Sequence, residues 1–123
     1  MLIEKKTTNQ VKGKKGEELA AEWLFTKGFV LLHRNWRHAR YEIDIIATKD
    51  QVLHFIEVKT RSSARFGNPE NQVNKKKLRH MIDAGVDFIY LNKGWKKIRF
   101  DILAIKLFNN LDPEFFFIED VYS

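Results

Sequence analysis

The sequence predicts an α/β domain built from five strands and two helices. Three observations predict it. Segments 13–27 and 75–91 carry apolar residues at the three- and four-residue spacing of one helix face. Segments 29–36, 41–49, 52–60, 95–105 and 115–118 are short, apolar or alternating, and bounded by turn residues. The chain has 123 residues, 44% of them hydrophobic, which is the usual size of one domain and enough for a core.

The first helix repeats Gly13, Gly16, Ala20 and then Trp23 or Leu24 on one face, and the small residues at its start suit close packing. Gly28 ends it. Glu17 borders the packed face, whereas Glu18 and Glu22 project to solvent. Residues 1–12 read as a flexible basic tail, leaving 13–123 as a single domain. The strand FVLLHRNW follows, and His33, Arg34, Arg37, His38 and Arg40 make the next connection basic.

The stretch from Tyr41 to Thr60, YEIDIIATKDQVLHFIEVKT, reads as two strands joined by a turn. Alternate residues of a strand share a face. Glu42 and Asp44 therefore point one way, and Ile43, Ile45 and Ala47 the other. Phe55, Glu57 and Lys59 share a face, and Ile56 and Val58 take the opposite one. A turn at Asp50-Gln51 puts Lys49 opposite Val52, Asp44 opposite Glu57 and Glu42 opposite Lys59. No glycine sets the turn type, so loops of two or four residues both fit, and both keep Asp44 facing Glu57. Facing side chains lie about 5 Å apart at Cβ, where like charges repel. Two such carboxylates among long aliphatic residues call for a cation between them.

The loop after this hairpin holds Arg61, Arg65, Phe66, Gly67 and Pro69. Asn74 is placed to cap the second helix, whose apolar stripe is Leu78, Met81, Ile82, Gly85, Phe88 and Ile89. Lys75, Lys76 and Lys77 oppose the helix dipole in its first turn; a bound phosphate or simple solvation would each account for them. In the strand 95–105, Ile98, Phe100, Ile102 and Ala104 alternate with Arg99, Asp101 and Leu103. Asp101 reads as a structural partner of Arg99 or of a loop amide.

Composition excludes several classes. There is no cysteine, hence no disulfide and no thiolate metal site. No apolar run has the length of a membrane span, and the N-terminus lacks the apolar middle of a signal peptide. The expectation is a soluble cytoplasmic protein. The formal net charge is +6, from 22 basic and 16 acidic residues, which favours a polyanionic partner. Lys14 and Lys15 before the hairpin, and Arg61, Arg65, Lys75, Lys76 and Lys77 after it, could border one acidic pocket with a phosphate backbone running between them. No pair of side chains stands out for reading bases.

Oxygen ligands without cysteine suit Mg²⁺ or Mn²⁺. His33, His38, His54 and His80 lack metal-ligand spacing, and His54 falls on the strand face away from Glu57. Lys59 shares the face of Glu57, so its ammonium can approach the same point as the two carboxylates. Carboxylates, a divalent cation and a lysine are what phosphodiester hydrolysis needs. The plainer reading is a set of salt bridges, Lys59 with Glu42 and Asp44 with an arginine.

These residues carry a resemblance. The chain resembles the YraN family of small bacterial endonuclease-like proteins. The matching stretches are Gly13-Lys-Lys-Gly16-Glu17 with Ala20; Glu42-Ile-Asp44-Ile-Ile-Ala47; Phe55-Ile-Glu57-Val-Lys59-Thr-Arg61; Arg65-Phe66-Gly67; Val73-Asn74 with Lys77; and Arg99-Phe100-Asp101. The likeness runs from about Gly13 to Tyr122. Tyr41 stands where the family usually has glycine. The resemblance implies a restriction-endonuclease-like fold, with a mixed central sheet of about five strands flanked by helices, related to archaeal Holliday junction resolvases. It implies Asp44 and Glu57 as metal ligands with the Val58 carbonyl as a third, and Lys59 as the catalytic lysine. Glu17 would reach the metal through water, and Glu42 would support Lys59 or the groups around the metal. The implied function is a metal-dependent endonuclease acting on DNA, with branched or damaged structures as candidate substrates. The alternatives are a non-catalytic nucleic-acid-binding module that retains the fold, and a basic surface that docks an acidic protein. A homodimer is compatible with all three.

Overall fold

The computed structural model describes residues 8–61, 75–108 and 112–121. Its elements run α1 Thr8–Thr26, β1 Val30–His38, β2 Tyr41–Lys49, β3 Val52–Arg61, α2 Lys75–Leu91, β4 Lys97–Lys106 and β5 Glu114–Ile118. The five strands form one mixed sheet in the order β1-β2-β3-β4-β5. The first three strands are an antiparallel meander, β4 lies parallel to β3, and β5 returns antiparallel to β4. A parallel pair needs a crossover, and α2 lies on that connection. Strands β3 and β4 are central, and Leu53 to Ile56 and Asp101 to Ile105 are buried almost without a break.

Two apolar clusters occupy the two faces of the sheet. Ala20 and Leu24 of α1 pack with Phe29, Ile45, Ala47, Ile56, Leu103 and Ile105. Met81, Ala84 and Phe88 of α2 pack with Ile43, Ile46, Leu53 and Phe55. Ile43 and Ile45 thus belong to opposite clusters although they are two residues apart. The expected alternation of Ile43, Ile45 and Ala47 fails there, and β2 is kinked beside Asp44. The facing strand is irregular too: its register shifts between Leu31 and His33, and Asn35 has a φ of 54°.

The hairpin loop has two residues. Lys49 pairs with Val52, and Asp50 and Gln51 both have positive φ, 51° and 67°, as a type I′ turn requires. Helix α1 closes with Phe29 N–H on the Leu24 carbonyl and Gly28 N–H on the Phe25 carbonyl, with Gly28 at φ 93°. The helix starts at Thr8, ahead of the expected start at Gly13. Residues 8–12, expected to be flexible tail, are therefore helical; they include no proline to stop the helix. Asn74 and the loop residues Arg65, Phe66, Gly67 and Pro69 lie outside the described residues.

Gly16 brings α1 onto β3. A Cβ at that position would overlap Thr60 Oγ1 and press on Thr60 Cβ at 3.3 Å. Exposed helix positions gain about 1 kcal/mol on replacing glycine by alanine. Here the sign should reverse: we expect Gly16→Ala to lose about 1–3 kcal/mol by overpacking. Denaturant unfolding checks this, and Thr60→Ala in the same chain should recover much of the loss. A stabilised Gly16→Ala protein would mean that the helix does not sit on Thr60.

Candidate active site

The register of the hairpin carries through Ile45 and Ile56, and there the β2–β3 pairing stops. The next facing pair would be Asp44 and Glu57. Alternate residues of β3 turn their backbone groups toward β2, so Val58 follows Ile56 in presenting N–H and C=O to that side. With no ladder to receive it, the Val58 N–H donates to Asp44 Oδ2 at 2.8 Å. Asp44 thus sits at the seam where β2 parts from β3. The Val58 carbonyl, on the same side of the strand, faces the same gap.

Glu57 points to the α2 side. Its Oε1 receives the Lys59 ammonium at 3.2 Å and the Lys77 ammonium at 3.1 Å. Lys59 comes from β3 itself, and Lys77 from the first turn of α2. The lysine that opposes the helix dipole is thereby matched by a buried-side carboxylate. Lys77 was expected as a phosphate contact only; sequence spacing could not show that α2 aims it at Glu57.

Glu42 does not face Lys59. Its carboxylate pairs with Arg37 of β1 at 3.1 Å, across the register pair Arg37/Glu42, because the kink in β2 turns it away from β3. The plain ion pair of Lys59 with Glu42 is thus replaced by two others, Lys59 with Glu57 and Arg37 with Glu42. Glu17 of α1 accepts a hydrogen bond from Asn35 Nδ2 at 3.3 Å. Burial pushes Asp44 up from 3.8 to about 6, and Glu57, Glu17 and Glu42 add to the rise, against the pull of the Val58 amide. The four carboxylates therefore feel one another. They act at Coulomb range, not as a ready cage: among the described residues no three His, Asp or Glu side chains gather closely enough to hold an ion alone. Burial, followed by the neighbouring Lys77, lowers Lys59. Lys77 moves up, through its hydrogen bond to Lys59 and its approach to Glu57. Of the two, Lys59 gives up its proton more readily.

A cleft of about 220 Å³ opens here. Asp44, Glu57 and Lys77 line one part of it, and Arg40, Tyr41 and His80 another. The basic connection between β1 and β2 was visible in the sequence, but nothing there placed Arg40 and Tyr41 beside Asp44. The remaining basic candidates are scattered. Lys15, Lys75 and Lys76 are exposed, and Arg61 donates to the Thr60 carbonyl at 3.1 Å. Lys14 lies on α1 with its side chain outside the described set, as is all of Arg65. His54 is on the far face, as expected, and its Nδ1 meets Asp101 Oδ2 at 2.6 Å. Asp101 also accepts the Asp120 amide at 2.8 Å, while Arg99 pairs with Asp120. Asp101 is thus a structural partner of a loop amide and lies apart from the acidic cleft.

Residues 16–105 match the model of a family described as "Uncharacterised protein family UPF0102". A UPF0102 protein of Chloroherpeton thalassium is 39% identical over 123 residues, covering 94% of this chain and 95% of that one. A UPF0102 protein of Flavobacterium johnsoniae is 44% identical, covering 76% and 79%. Among solved structures, a Holliday junction resolvase of Archaeoglobus fulgidus shares the fold, with a TM-score of 0.50 at 14% identity over 84% of this chain and 74% of that chain. Among the described residues, no helix is long and apolar enough to cross a membrane.

The raised Asp44 makes a signed prediction about stability in a chelator. Its contribution is fully present below pH 3.8 and is lost as pH rises through about 6. At pH 7 this amounts to about 3 kcal/mol for a shift of this size. Asp44→Asn keeps an acceptor for the Val58 amide and cannot ionise. Its unfolding free energy should therefore fall less than that of the wild type between pH 4 and pH 7. Parallel pH curves for the two proteins would place Asp44 in solvent.

Proposed function

The chain belongs to the UPF0102 family, and from that premise we propose that it is a metal-dependent endonuclease that hydrolyses phosphodiester bonds of DNA, with branched or damaged structures among its substrates. The observation that carries this reading is the seam itself. Two carboxylates from adjacent strands meet at the end of a ladder, with two lysines on one of them. The structural neighbour is named a Holliday junction resolvase, which supports branched DNA as a substrate.

Asp44, Glu57 and the Val58 carbonyl are the groups that would hold Mg²⁺ or Mn²⁺. The donor set fits such an ion: Mg²⁺ is commonly bound through one or two carboxylates and keeps several waters. It also fits the resistance of Asp44 to ionising, which a cation beside it would relieve. Once bound, the ion acidifies a water and neutralises the phosphate. Lys59, the more easily deprotonated lysine, holds the attacking water and can take its proton. Lys77 keeps its charge and faces the phosphate oxygens, where negative charge grows. Glu17, held by Asn35, stands at longer range, and Glu42, held by Arg37, lines the same cleft; both add negative potential that favours the cation.

A nicking assay on several DNA structures with Mg²⁺ and with Mn²⁺ tests the proposal, with Asp44→Ala as the control. We expect metal-dependent cleavage that the substitution removes. We also expect millimolar Mn²⁺ to raise the thermal midpoint of the wild type by mass action but not that of Asp44→Asn. Lys59→Ala should lower cleavage by about 10²-fold or more while binding stays nearly intact. Equal losses of both would make Lys59 a docking residue. That Glu57 is held by two ammonium groups favours a second reading, a nucleic-acid-binding module that retains the fold without chemistry. In that case DNA binds and no structure is nicked.

Binding should depend on salt and hardly on sequence. Each neutralised phosphate contributes about −0.9 to the slope of log affinity against log salt on duplex DNA. Replacing Lys75 and Lys76 together by alanine should flatten the slope by up to about 1.8 and weaken all sequences alike. An affinity indifferent to salt would instead point to an acidic protein as the partner.

A further inference from the structure

The cleft that holds Asp44, Glu57 and Lys77 extends past them to a rim of different chemistry. Tyr41 enters it from the start of β2, and His80 from α2. Tyr41 lies three residues before Asp44, about 10 Å away along an extended strand. His80 lies three residues after Lys77, so the two project from the same side of the helix. The Tyr41 and His80 rings meet at a centroid distance of 5.4 Å and are tilted by 49°. Rings tilted this far do not cover one another's faces. His80 is exposed, Tyr41 is half-buried, and Arg40 beside them is exposed. With glycine in place of Tyr41, this end of the cleft would carry no aromatic pair.

We propose that Tyr41 and His80 form an aromatic lip that stacks one unpaired base of a nucleic acid whose phosphate lies at Asp44, Glu57 and Lys77. The inference rests on the nuclease reading above and names its substrate class: a strand with an unpaired nucleotide next to the phosphate being held. Every base has a π-face, so stacking on an aromatic side chain tolerates any sequence. In a continuous duplex that face is already covered by its neighbours. Bringing a base to the lip then requires unstacking, which costs least for a nucleotide that is already unpaired. Arg40 stands at the rim, where an adjoining phosphate would pass. The lip therefore discriminates by the shape of the substrate and not by its sequence. Bulges, flaps and junction ends offer such a nucleotide, and an intact duplex does not.

Fluorescence anisotropy tests this with two labelled DNAs that differ only in one unpaired nucleotide, in Ca²⁺ so that cleavage does not intervene. The wild type should bind the bulged DNA about tenfold more tightly than the continuous duplex, the scale of one stacked base. Tyr41→Leu keeps an apolar side chain in the packing but has no π-face, and it should bring the affinity for the bulged DNA down to its own duplex affinity. Tyr41→Phe should keep the gap. 2-Aminopurine at the unpaired position should be quenched on binding to wild type and to Tyr41→Phe, and not to Tyr41→Leu. If the wild type binds both DNAs equally, or the gap survives Tyr41→Leu, the lip is only a helix–strand contact and the inference falls, with the nuclease reading untouched. If neither DNA binds, the nucleic-acid reading falls first and the lip with it.

Discussion

The site depends on the fate of one backbone amide. Val58 belongs to the series of β3 residues that turn their hydrogen-bonding groups to β2, but the β2 ladder ends at Ile45 and Ile56. A partly buried N–H without a partner is costly, and such groups are rarely left unpaired. Asp44 supplies the acceptor from a side chain. A structural demand, the closing of a sheet seam, thereby fixes the position of a carboxylate that chemistry could use. The same parting of the strands leaves Asp44 open to groups on both faces: the charge of Glu17 reaches it from the α1 side, and Lys77 lines its cleft from the α2 side. A fully zipped hairpin would keep those faces apart by the thickness of the sheet.

That arrangement has an electrostatic cost that is only partly met within the described residues. Glu57 is compensated by Lys59 and Lys77. Asp44 accepts the Val58 amide, and burial outweighs that bond and pushes it up. The two carboxylates therefore differ in character: one is a held anion, the other a reluctant one. The lysines differ in the same way, and for the same reason. Burial works against charge on Lys59, whereas Lys77 lies nearer solvent. Acid and base character is thus distributed by depth along a short path from β3 to the surface of α2.

Much of this was legible in the sequence. The period of two in YEIDIIATK and in VLHFIEVKT, joined by a short polar turn, was enough for the hairpin, its register and the meeting of Asp44 with Glu57. The stripe from Leu78 to Ile89 and the glycine after the first helix marked the two helices. What was not legible arises from departures from period and from distant packing. The kink between Ile43 and Ile45 sends Glu42 to Arg37, and its partner irregularity sits on another strand, at Asn35. Lys77 looked like its neighbours Lys75 and Lys76, because only the placement of α2 over the sheet singles it out. The early start of α1 at Thr8 had no apolar stripe to announce it, although Thr7 and Gln10 have the spacing of a capping box in the sequence. Tyr41 stands out in the sequence as a departure from a pattern, yet its contact with His80 depends on the crossover of α2.

Strand β1 is an outer strand of the sheet, so one row of its peptide groups has no partner strand among the described residues. Such a row can recruit a strand from another molecule and begin aggregation. Here the strand carries His33, Arg34, Arg37 and His38, shifts register at Leu32 and turns through a left-handed Asn35. Charge and bend together make it a poor template for a second copy. Basic residues on an edge strand discourage identical edges from adhering in a crowded solution, whether or not a phosphate ever meets them. The tally of basic residues overstates how many phosphates the surface was shaped to meet.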